Sequence, residues 1–195
     1  MSSSKITHTG IEYPVPLLGF AAFSGTGKTT LLLKLVPLLK SAGLRIAVVK
    51  HAHHAFEMDY PGKDSYRLRA VGADEMLVAG RCRMAWIREC GEQHDREPRL
   101  EEALAILDPG NFDLVLVEGF KNAPFAKIEL HRPSLGHPLM CIDDDNIVAL
   151  ASDQAASDYA DLDLVHLPLN NPVRVAQFVL EFIGWETALD ADLAC

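Results

Sequence analysis

Hydrophobic positions along the chain fall in short unbroken runs separated by longer mixed segments. LLGFAAF at 17–23 is apolar and followed by a glycine turn, which predicts a buried strand. RIAVVK at 45–50 and FDLVLVEGF at 112–120 read the same way. Strands apolar on both faces and separated by helices predict a mostly parallel sheet covered by helices on both faces, an α/β three-layer sandwich. DEMLVAG and RMAWIREC read as two short strands joined through Arg81 and Cys82, and EPRLEEALAIL carries a helical pattern. AKIELHR, NIVALAS and DLVHLP supply later strands, with helices expected near 152–160 and 172–183.

The segment 29–41 is long enough for a helix, with Gly43 placed to stop it and Pro37 expected to kink it. It is apolar nearly all round, at Leu31, Leu32, Leu33, Leu35, Val36, Leu38 and Leu39, with only Lys34 and Lys40 as relief. Burial on more than one side follows, either beneath a long loop or against a second subunit.

Length adjusts this picture little. The 195 residues fit one globular domain, with an ordered core expected at about 14–185. No apolar stretch approaches the roughly 18 residues of a membrane span, and the N-terminal MSSSKITHTG has no apolar signal region, so a cytoplasmic protein is expected. Cys82, Cys90, Cys141 and Cys195 are scattered without a CxxC pair, which suits reduced thiols. A formal net charge of −9 argues against a nucleic-acid partner.

The chemistry starts where the first strand stops. SGTGKTT, Ser24 to Thr30, lies between a buried strand and a helix and approximates the phosphate-binding pattern G-x-x-x-x-G-K-[ST]. In such a loop, main-chain N–H groups and the positive end of the helix dipole point into one concavity that takes a polyphosphate. Gly25 and Gly27 permit close backbone approach, Lys28 neutralises the β and γ phosphates, and the Thr29 hydroxyl holds Mg²⁺. Thr26 and Thr30 complete the loop. The pattern's first glycine is Ala22 here, the smallest substitute. This makes the fold class a P-loop NTPase-type sandwich. A carboxylate at the end of a neighbouring strand is also required, and Glu118 in DLVLVEG supplies it as a second metal-facing residue. Asp113 starts the same strand and belongs at its far end.

KHAHHAFEMDYPGKDS follows the second strand and emerges at the ligand edge of a parallel sheet. Asp59 or Asp64 would bind a metal-held water or orient the attacking water, and Lys63 would reach a phosphate; Asp64 also reads as a plain helix cap. Pro61 and Gly62 mark a loop able to reorder with a γ-phosphate. His51, His53 and His54 lie on no regular helical face, which weakens a transition-metal reading. Asp153 in ALASD ends a later strand and would accept from guanine N1–H and N2–H₂, or else it or Ser152 caps the next helix. The residues alone leave guanine and adenine open.

FSGTGKTTLL, VVKHAHHAFEMDYPGKDSYRLRAVGA, DLVLVEGFK and VALASD together resemble the molybdopterin-guanine dinucleotide biosynthesis protein B (MobB) family of SIMIBI-type P-loop proteins. The resemblance runs from Leu17 to Asp153 and does not extend to the tail GWETALDADLAC. It implies a GTP-binding homodimer with weak GTPase activity. It further implies an accessory role beside the molybdopterin guanylyltransferase, to which GTP or a molybdopterin intermediate would be delivered. Carried onto this chain, the family site comprises Gly25, Gly27, Lys28, Thr29 and Glu118, with roles in PGKDS less defined. A P-loop small-molecule kinase is the alternative, and would need an arginine-bearing lid, for which Arg81, Arg83 and Arg88 are the candidates.

Overall fold

The apolar runs become strands and the mixed segments become helices in the computed structural model, which describes residues 10–52, 56–90 and 96–186. In chain order the strands are β1 (Leu17–Ala21), β2 (Ile46–Lys50), β3 (Glu75–Ala79), β4 (Met84–Arg88), β5 (Leu114–Glu118), β6 (Lys127–His131), β7 (Ile147–Ser152) and β8 (Val165–Pro168). The helices are α1 (Lys28–Ser41), α2 (Asp64–Ala70), α3 (Leu100–Leu104) and α4 (Pro172–Ile183). These elements belong to two compact units, one made of Met1–His51 with Arg99–Cys195 and one of Ala52–Pro98.

The first unit is built on a six-stranded sheet in the order β2-β5-β1-β6-β7-β8. All of its pairings are parallel. β1 therefore runs through the middle, flanked by β5 and β6. One sheet face carries Leu18, Phe20, Leu114, Leu116, Ile128, Leu130, Ala149 and Ala151 against α1 and α4. The other face carries Val49, Val115, Val117 and Phe125 against α3 and the segment from Ile11 to Leu17. The expected three-layer α/β architecture is present.

What covers the apolar α1 is α4. Leu31, Leu32, Leu35 and Leu39 share one buried cluster with Val175, Ala176 and Val179, and Trp185 Nε1 donates to Ala42 O at 3.1 Å. Neither a long loop nor a second subunit is needed to explain that helix, although Leu33 stays exposed. α1 runs on through Pro37 and stops at Gly43, whose φ of 93° is one that glycine adopts readily. α4 matches its expected span because its boundary signals agree. The Asn171 side chain accepts from Arg174 N, Pro172 occupies the first turn, and Gly184 closes the helix at φ 65°.

The helix expected near 152–160 is not formed. Only a short 3-10 turn, Ala156–Tyr159, stands there, because Ser152 is still in β7 and its hydroxyl is 2.9 Å from the Tyr159 hydroxyl, drawing the segment across the strand end. At the far edge of the sheet, Arg45 grips Asp113 with its main-chain N–H and its guanidinium, at 2.6 to 3.0 Å. These bonds hold the Asp113 carboxyl below the usual carboxylate range. Asp113 thus marks the end of β5 opposite Glu118.

The second unit pairs β3 with β4 as an antiparallel hairpin, with α2 packed on β3. None of its described residues is fully buried. Cys82, Cys90 and Cys141 are free thiols. No helix of the described residues is long and apolar enough to cross a membrane.

Candidate functional site: a main-chain cradle at the end of β1

β1 ends at Ala21, and six residues later α1 begins with Gly27 as its N-cap at φ 102°. Gly25 also has a left-handed φ of 82°. Two such glycines turn the chain back above the strand without a Cβ in the way. Thr26 shapes the loop from inside: it is 2% exposed, its hydroxyl donates to Phe23 O at 2.9 Å, and its N–H leans on the same carbonyl at 3.4 Å. Its polar groups are therefore turned away from any ligand. Gly25 and Gly27 differ, since among the described residues no main-chain or side-chain group accepts from their N–H groups. Lys28, Thr29 and Thr30 sit in the first helical turn, where N–H groups have no intrahelical acceptor. The loop thus presents a set of unsatisfied donors at the positive end of a 14-residue helix.

Register places the charges around it. Phe20 of β1 and Lys50 of β2 both lie opposite Glu118 of β5. Lys28 Nζ is 4.0 Å from Glu118 Oε1, and Lys50 Nζ is 3.8 Å from Oε2. Two ammonium groups therefore share one carboxylate at loose distances, leaving an excess of positive charge beside the free N–H groups. Such a hollow selects an anion. Thr29 and Ser24 are exposed at its rim. Behind Glu118 the chain turns sharply through Gly119 at φ 91° and Phe120 at φ 50°. The Phe120 ring stacks on His51 with centroids 4.7 Å apart.

A third side arrives from β6. Arg132 follows its last residue, and its guanidinium donates from Nε to Thr26 O at 2.9 Å. It also donates to Asp153 Oδ2 at 2.6 Å and to Asn170 Oδ1 at 2.9 Å. Asp153 thus lies at the expected edge but is engaged by Arg132, and neither it nor Ser152 caps a helix. Instead the Ser152 hydroxyl accepts from Gln154 N at 3.2 Å.

The remaining candidates belong to the second unit. Asp59 accepts from Tyr60 N and the Ser65 hydroxyl and lies 3.7 Å from Arg69, so it ties the loop to α2. Asp64 is almost fully exposed in the first turn of α2, paired loosely with Arg67 at 3.7 Å, and Lys63 precedes it as the N-cap. Lys63 makes no side-chain cap there. Arg88 pairs with Glu75 and covers the Trp86 ring within the hairpin. Among the described residues no cluster of His, Cys, Asp and Glu suits a metal ion, and His53 and His54 lie outside them.

Sequence reasoning missed Arg132, Asn170 and the buried Lys127. The first two had a usable signal. Each stands just beyond the C-terminal end of a parallel strand, the position from which Glu118 and Asp153 were chosen.

Comparison with known proteins bears on what this cradle serves. The family described as molybdopterin guanine dinucleotide synthesis protein B, MobB, matches residues 17–153, from the start of β1 to Asp153. The chain belongs to the MobB family. A molybdopterin-guanine dinucleotide biosynthesis adapter protein of Escherichia coli is 42% identical over 170 residues, covering 87% of this chain and 94% of that protein. One of Haemophilus influenzae is 37% identical over 165 residues, covering 85% and 88%. A solved structure of molybdopterin-guanine biosynthesis protein B is 26% identical with a TM-score of 0.61, covering 85% of this chain and 99% of that one. Every residue of the cradle, together with Glu118 and Arg132, falls inside the segment that matches the MobB family.

Proposed function

We propose that the protein is a GTP-binding adapter in the biosynthesis of molybdopterin guanine dinucleotide. It works in the cytoplasm beside the enzyme that joins GMP to molybdopterin, as a homodimer that presents GTP or a cofactor intermediate. Support for the pathway comes from the adapter proteins it resembles at 42% and 37% identity. One observation carries the chemistry: among the described residues the N–H groups of Gly25 and Gly27 have no acceptor, where Lys28 and Lys50 converge on Glu118.

The Thr29 hydroxyl and the Glu118 carboxylate are hard oxygen donors and fit Mg²⁺. Bound there, the ion would neutralise charge on the terminal phosphates. Lys28 would exchange its loose contact with Glu118 for phosphate oxygens. Asp153 offers guanine a carboxylate for its N1–H and N2–H₂ donors. Slow turnover fits the same geometry. Fast phosphoryl transfer draws on a cation at the γ-phosphate, whereas Arg132, the arginine touching this loop, donates to three protein acceptors.

Calorimetric titration with GTP and ATP, each with and without Mg²⁺, tests the reading. GTP is expected to bind more tightly, with Mg²⁺ strengthening it. Lys28→Ala is expected to lower affinity on the order of a hundredfold while leaving the melting temperature near that of the parent. Unchanged GTP affinity in that variant would refute the assignment.

A further inference from the structure

Loop donors are useful only if they point the right way, and the structure shows what turns one of them. A trans peptide is planar, so the C=O of Thr26 and the N–H of Gly27 point in opposite directions. Arg132 Nε donates to that Thr26 carbonyl at 2.9 Å. The Gly27 N–H is thereby turned away from the Arg132 bond, and among the described residues it has no acceptor. The guanidinium also lies alongside Gly27, and a Cβ there would meet Arg132 Nη2 at 3.9 Å.

Arg132 is itself braced. Nη1 donates to Asp153 at the end of β7 and Nη2 to Asn170 beyond β8, at 2.6 and 2.9 Å. Its side chain is 27% exposed and Asp153's is 25% exposed. The planar fork fixes all three bonds in one plane, which a lysine ammonium cannot reproduce.

We propose that Arg132 is a positioning residue, braced by Asp153 and Asn170, that orients the Thr26–Gly27 peptide so that the Gly27 N–H faces the bound phosphate. This rests on the nucleotide-binding reading and extends it. The cradle at β1 and the residue offered to the base at β7 are then mechanically one assembly. A ligand that draws Asp153 away from Arg132 loosens the phosphate side, and a bound phosphate stiffens the base side.

Two readouts test it on the full-length protein. The first needs no ligand: the ¹H–¹⁵N resonance of the Gly27 amide and its heteronuclear NOE. Arg132→Ala and Arg132→Lys are each expected to shift that amide and lower its NOE, and an unchanged Gly27 amide in a folded variant overturns the proposal. The second is calorimetric affinity for inorganic tripolyphosphate, which has no base to read. Arg132→Ala is expected to weaken it about tenfold. Asp153→Asn and Asn170→Ala, by loosening the brace, are expected to weaken it about threefold. Tighter tripolyphosphate binding in Asp153→Asn overturns the proposal, because it would show a released Arg132 acting as a direct phosphate ligand. Should the parent protein bind neither tripolyphosphate nor GTP, the nucleotide reading fails, while the Gly27 amide still decides the role of Arg132.

Discussion

Lys127 shows at the scale of one residue how a charge comes to be buried in this fold. Its side chain is 2% exposed, yet its ammonium reaches Asp144 at 2.8 Å and the carbonyls of Lys121 and Ala123 at 2.9 Å each. All three of its donors are used, and the turn behind Glu118 is thereby tied to β6. Lys127→Met keeps the length but strands two carbonyls and a carboxylate. The expected loss is about 3 kcal/mol by chemical denaturation, at the low end for a broken buried pair because Asp144 is a quarter exposed. The pH dependence has a definite sign. Burial raises the Asp144 carboxyl, but hydrogen bonds from Lys127 and Asn146 outweigh it and hold it below the usual range. A depressed carboxylate stabilises above its unfolded value, about 3.9, and that contribution is lost as pH falls through the lower folded value. The stability gap between the parent and Lys127→Met should therefore narrow below about pH 4. A gap that widens on acidification would contradict this.

The turn after β5 is the element on which the position of the Glu118 carboxylate depends. Gly119 has φ 91°, and a Cβ there would lie 2.6 Å from the Cβ of His51, an atom rigidly attached to the main chain beyond β2. Gly119→Ala therefore meets both backbone strain and a clash that no rotamer change relieves. The strain alone costs about 1–2 kcal/mol. Relief requires β2 and β5 to separate at the ends that hold Lys50 and Glu118. Mg²⁺-dependent GTP binding should weaken more than binding measured in chelator, a contrast that calorimetry of the two conditions reads directly. Elements of this kind were legible from sequence where local chemistry agrees with burial. GTGK between a buried run and a helix announced the cradle, and the helix read near 172–183 is α4. Legibility failed where tertiary partners override pattern. Lys127 and Glu129 alternate with Ile128 and Leu130 like a half-exposed strand, yet both polar side chains are buried. Glu129 is covered by a distant loop whose Met140 and Cys141 amides donate to it at 2.8 Å. Burial, with the neighbouring Glu129 charge, raises the Cys141 thiol to about 11, leaving it an inert thiol at neutral pH. No local periodicity encodes a loop that returns from eleven and twelve residues away.

Over the whole molecule, the two units have unequal means of staying folded. Both hydrophobic clusters lie in the first unit, on the two faces of its sheet. The second unit has a two-stranded hairpin and one seven-residue helix, without a fully buried residue among those described. A lone hairpin is marginal in water, and a segment of this size needs further cover. Its apolar surface is instead displayed: Leu77 is 61% exposed and Met84 73%, on the hairpin face that also carries Trp86. The sequence directed attention to α1 as a surface for a second subunit, but α4 covers most of that helix and leaves Leu33 exposed, while Leu77 and Met84 place further exposed apolar area on the hairpin. The proposed homodimer, joined through this face, would give the unit the cover it lacks. Leu77→Lys combined with Met84→Lys should convert a two-chain mass to a one-chain mass in sedimentation equilibrium. Because both side chains are solvent-facing in the single chain, the double variant should keep the parent's GTP affinity within about twofold. A parent that sediments as one chain, or a double variant that still sediments as two, would place the contact elsewhere. Loss of GTP binding in step with the loss of mass would instead show that the cradle is complete only in the paired state.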